Sequence, residues 1–129
     1  MKKMIILLGA FLLVFPLISC KQDTSKFTEE EIDNAINIVK ENFDFPDSKI
    51  TEIWYDEEKA ETMTEQYIAM GRGSTNGVKP ENVIILLSEF EVGDLGGSGL
   101  DPNKTYENFN WILIRDDKAG DWKINDWGY

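Results

Sequence analysis

The side chains of this chain that could do chemistry fall into four sets: a lone Cys20, an abundance of carboxylates, two glycine-rich segments, and a concentration of Trp and Tyr. The 129 residues contain no His, so no Ser-His-Asp triad, imidazole base or His-based zinc site can be built. One Cys excludes an internal disulfide and a Cys-rich metal cluster. Carboxylates are plentiful, 24 Asp and Glu against 13 Lys and Arg for a formal charge of −11, and that balance excludes nucleic acid, whose phosphates need a basic surface. Each acidic run has a structural use. Glu29-Glu30-Glu31 suits a helix start, Asp56-Glu57-Glu58 leads from a strand end into a helix, and Asp116-Asp117 suits a turn. Asp126, which alternates onto the face of Trp122 and Ile124, reads as a hairpin-end group rather than a general base. An enzyme of this composition would need a buried carboxyl of raised pKa.

The glycine-rich segments are weaker signals. Residues 71–77, GRGSTNG, could cradle an anion on backbone N–H groups and Arg72, but no Gly-Lys-Ser/Thr follows as a phosphate loop requires. A structural connection is the expectation. Residues 93–103, GDLGGSGLDPN, would have to start a calcium loop at Asp94; Gly96, Ser98 and Thr105 then occupy its third, fifth and twelfth positions, and the pattern fails. A flexible loop is expected there, with no metal and no cofactor.

Cys20 has a different chemistry. Lys2-Lys3, an apolar run over residues 4–18, and Leu17-Ile18-Ser19-Cys20 have the layout of a signal peptide ending in a bacterial lipobox. The apolar run is shorter than the roughly 20 residues of a spanning helix. The expectation is a signal peptide over residues 1–19, acylated Cys20 as the mature N-terminus, a tether over residues 20–26, and one domain over residues 27–129. Two acyl chains on one residue hold a protein stably to a membrane. Losing Lys2 and Lys3 leaves 11 basic residues against 24 acidic ones, a formal −13, so the lipid rather than the protein surface would hold it on the extracytoplasmic face.

The elements that must position the remaining side chains follow from periodicity. Thr28 and Glu31 make a capping box, Phe27 can staple onto Ile32, and Ile32, Ala35, Ile36, Val39 and Phe43 form one helical stripe that Pro46 stops. Residues 49–55 read as a strand; residues 57–70 read as a weaker helix with Ala60, Met63, Tyr67 and Met70 on one side. In residues 82–92, Ile84, Leu86, Ser88, Phe90 and Val92 share one face and Val83, Ile85 and Leu87 the other, as in a central strand. Residues 106–115 and 122–129 form a hairpin in which Gly120 can take the positive-φ position. Alternation puts Trp122 and Ile124 on one side and Trp127 and Tyr129 on the other. The plan is α+β, an N-terminal helix on a curved antiparallel sheet of about four strands, with the helices covering one sheet face.

Three segments resemble a family of small lipoproteins from clostridia and related low-GC Gram-positive bacteria: residues 27–43 with Trp54-Tyr55-Asp56-Glu57-Glu58; residues 71–78 with Glu81-Asn82-Val83-Ile84; and Trp111 to Arg115 with Gly120-Asp121-Trp122-Lys123-Ile124 and Asp126-Trp127-Gly128-Tyr129. The resemblance implies a nuclear-transport-factor-two-like or cystatin-like fold and implies no activity. Aromatic strands with more apolar surface than one helix covers should leave a concave patch near the chain end, with Trp127, Tyr129 and Trp54 as candidate ligand contacts. The functional expectation is a membrane-anchored binding or accessory module with a protein or small-molecule partner. A sensor or inhibitor-like protein acting on a secreted partner, and a pocket enzyme using a buried carboxylate, are the alternatives.

Overall fold

The computed structural model describes residues 26–128. The expected signal peptide, Cys20, the tether up to residue 25 and Tyr129 lie outside the described residues. Helix α1 spans Glu29–Asn42 and is followed by β1 (Ser48–Trp54), α2 (Glu57–Met70) and a short α3 (Gly73–Asn76). A 3-10 turn at Pro80–Asn82 then leads into β2 (Val83–Val92), β3 (Thr105–Ile114) and β4 (Lys123–Gly128). The four strands lie in chain order, each antiparallel to the next. The fold is α+β, as the sequence pattern predicts.

Helix α1 starts at the expected capping box: Thr28 Oγ1 accepts the Glu31 N–H at 3.1 Å and the Glu31 carboxylate accepts the Thr28 N–H at 2.9 Å. Phe27 is buried, its ring edge-on to Tyr55 and Trp122 and in the same cluster as Ile32. Along α1, Ala35 and Val39 are fully buried against Ile84, Leu86, Phe90, Trp111 and Leu113. Ser88 sits in this apolar layer because it solves a polar problem there. Its hydroxyl accepts the Trp111 indole N–H at 2.8 Å and donates to the Phe109 carbonyl at 3.0 Å, so no buried donor is orphaned.

The helices do not share a sheet face. Helix α2 packs Ala60 and Tyr67 on Val83 and Ile85, the opposite face of β2. Its buried stripe is Ala60, Thr64 and Tyr67; Met70, expected on the stripe, is 79% exposed. Small residues suffice because Ala60 and Thr64 let the helix sit close to a flat β-branched surface. The doubly apolar start of β2 is therefore covered on both faces, as a central strand requires.

Register shifts bend each strand pair, at Ile50/Glu52 in β1, between Phe109 and Tyr106 in β3, and around Asn125 in β4. In β3 the extra residue, Asn108, takes φ 55°. The shift in β4 has a larger consequence. Ile124 pairs with Leu113 but Asp126 with Ile112 and Trp127 with Trp111, so the extra residue reverses the alternation. Trp127 consequently lies on the α1 face with Trp111 and Ile124, and Asp126 on the α2 face, both opposite to the sequence expectation.

Two loops also differ from expectation. Gly120 does not take the left-handed conformation; the β3–β4 connection closes through Asp117, whose carbonyl accepts the Gly120 N–H and whose carboxylate accepts the Ala119 N–H. Residues 93–103, expected to be flexible, are pinned. Gly93 N–H donates to the Asp47 carbonyl and Leu95 N–H to the Asp47 carboxylate, Gly97 and Leu100 bond each other, and the Asp101 N–H donates to the Tyr106 hydroxyl.

Candidate ligand-binding site

The segment after α1 builds the site. Pro46 cannot continue a helix and holds Phe45 extended, so Phe43 and Phe45 project onto the sheet in succession. Asp47 then turns the chain at φ 50°, with Ser48 Oγ donating to the Pro46 carbonyl. Phe45 stacks on Trp111 at 5.5 Å and 28° and meets Phe90, Phe109 and Trp127 at 5.5, 5.8 and 6.1 Å. Trp111 and Trp127 lie 5.9 Å apart. Trp111 is buried; Trp127, at the end of edge strand β4, remains 52% exposed. On one side of the Phe45–Trp127 pair is a groove of about 590 Å³ that reaches Pro46, Leu100 and Phe109; on the other is one of about 470 Å³ that reaches Ile38, Trp122 and Lys123. Asp44 borders both.

Of the three aromatics expected to contact a ligand, the structure places one here. Trp127 forms the rim, Tyr129 is outside the described residues, and Trp54 is half-buried on the far edge strand, paired with Leu87 on the α2 face. Trp54 and Trp127 therefore share no site. Asp44 and Phe45 carried little sequence signal, since they follow the helical stripe. The Phe43-Asp44-Phe45 alternation before Pro46 was the available clue.

Other candidate sites resolve as architecture. The Gly71–Gly77 segment docks on β4: Arg72 donates to the Asn125 carbonyl at 3.1 Å and lies 3.9 Å from Asp126, while the Tyr67 hydroxyl donates to Asn125 Oδ1 and accepts from Asn76 Nδ2. Gly73 is needed for closeness, because a Cβ there would sit 2.8 Å from the Tyr67 ring. Burial raises the Tyr67 pKa, and burial with Glu57 nearby pushes Tyr55 up to about 12. A cavity of about 730 Å³ at the other end of the sheet borders Lys26, Lys79, Arg115 and Lys118 together with Glu31, Glu81, Asp116 and Asp117. Its buried guanidinium is already spent. Arg115 donates to Glu31, Asn82 Oδ1 and the Glu81 and Lys118 carbonyls, and stacks 4.4 Å over Trp122.

Among the described residues no Asp or Glu is buried, no group of carboxylates is arranged to hold a metal, and no helix is long and apolar enough to cross a membrane. Comparisons with curated proteins and with solved structures return no match. Residues 18–128 match the family described as a domain of unknown function, DUF4829, and the chain belongs to that family.

Proposed function

We propose that this chain is a lipid-anchored extracytoplasmic lipoprotein serving as a binding or accessory module, which docks a segment of its partner in the groove at Trp127 without making or breaking a bond. One observation carries the reading: a half-exposed Trp on an edge strand, backed by Trp111 and Phe45 and flanked by open grooves, whereas the other large aromatics among the described residues are largely buried. Rigid aromatic surface held in place by a packed layer beneath it is what anchors a binding partner at small entropic cost. Anchoring rests on the Lys2-Lys3, apolar run and Leu17-Ile18-Ser19-Cys20 order. The cystatin-like or nuclear-transport-factor-two-like reading is supported by α1 lying across one face of a four-stranded antiparallel meander, with α2 on the other face. The pocket-enzyme alternative calls for a buried carboxylate, and the solvent-exposed Asp44 at the groove favours binding instead.

The test is crosslinking of the tagged protein in intact cells. Trp127→Ala is expected to abolish recovery of the partner while leaving the melting midpoint nearly unchanged. Unfolding on truncation, or undiminished crosslinking, would place the site elsewhere. Cys20→Ala is expected to move the protein from the detergent phase to the aqueous phase and to block processing.

A further inference from the structure

We infer that the groove between Phe45, Phe109 and Trp127 receives a cationic group, the guanidinium or ammonium of a basic side chain in an extended segment of the partner; this rests on the reading of that groove as the binding site. Among the described residues, Asp44 is the one charged side chain bordering the 590 Å³ groove, while Lys123 borders the neighbouring one. The Asp44 carboxylate has no hydrogen bond or ion pair among the described residues. It lines the same two grooves as the half-exposed Trp127, and a carboxylate and an aromatic ring in one groove attract a cation through a counter-charge and the ring quadrupole together.

The chain uses the same chemistry on itself. Arg115 lies 4.4 Å over Trp122 and Lys104 lies 4.7 Å over Tyr106, whereas Trp127, the most exposed of the four Trp, has no such cation among the described residues. Pro46 and Leu100 also line the groove and offer apolar surface to the hydrocarbon stem of a Lys or Arg whose head meets Asp44. The field of the whole chain agrees, since a formal charge of −11 attracts basic partners and repels acidic ones.

The test compares butylguanidinium with its neutral near-isostere butylurea on the full chain in detergent, following the Trp127 indole N–H by NMR with Trp127→Phe as the assignment control. Butylguanidinium is expected to shift that signal saturably, with butylurea binding at least about 5-fold more weakly. Asp44→Asn, an exposed and conservative change, is expected to weaken butylguanidinium by about 5-fold and to remove most of its salt dependence. Equal binding of the two probes overturns the cation preference and leaves an apolar groove standing. Unchanged affinity in Asp44→Asn also overturns the proposal. Failure of both probes to move the Trp127 signal overturns the groove as a binding site altogether.

Discussion

Glu31 joins the start of α1 to the end of β3, because it closes the capping box at Thr28 and ion-pairs with Arg115, whose side chain is 5% exposed. Burial raises its pKa, but the Thr28 amide and the Arg115 guanidinium outweigh that and hold the carboxyl below its ordinary 4.5. A lowered carboxyl pKa means that the unfolded chain binds more protons across that interval. The stabilisation is therefore fully present above the ordinary value and lost as pH falls through the lowered one. Glu31→Gln is expected to lower the melting midpoint at neutral pH and to flatten its decline below about pH 4.5, measured over about pH 3 to 7. Arg115→Ala strands the Glu31 carboxylate and removes the stack on Trp122, at an expected cost of about 3 kcal/mol in urea unfolding. The cap was legible in the sequence because its partners are three residues apart. The ion pair was not, since it spans 84 residues and exists only once the sheet has closed.

The elements were legible where burial imposes a period and illegible where one residue breaks it. The doubly apolar start of β2 announces a strand covered on both faces, and the structure supplies α1 and α2 to cover it. The register shift around Asn125 leaves no trace in composition, yet it carries Trp127 to the α1 face and so creates the candidate site. Side-chain parity in a strand is a running count, and one inserted residue inverts everything after it. Three substitutions test the local architecture by urea midpoint. Thr28→Ala is expected to cost about 0.5–2 kcal/mol through the lost cap. Gly73→Ala forces a Cβ into the Tyr67 ring and is expected to cost about 1–3 kcal/mol. Gly77→Ala meets no neighbour but must hold φ 76°, so the expected cost is about 1–2 kcal/mol of backbone strain.

At the scale of the molecule, both sheet faces are covered and the groove lies towards the end of α1 opposite Lys26, where the described chain begins. A 14-residue helix is about 21 Å long, and the six steps of chain from Cys20 to Lys26 could span at most about 20 Å. With Cys20 in the bilayer, the groove would work within about 40 Å of the membrane surface. Inserting about ten Pro-rich residues after Lys21 would lift the domain by roughly 30 Å. Crosslinks from Trp127 to a membrane-embedded partner should then be lost, whereas those to a freely diffusing one should persist. The burial of Phe27 bears on how such an anchored domain carries load. Its ring is wedged against Tyr55, just after β1, and Trp122, just before β4, so it touches the chain beside both edge strands of the sheet. A pull on the anchor would therefore be divided between the two margins of the sheet instead of peeling α1 from its cap, and the domain should resist tension as one body while its far end keeps its shape.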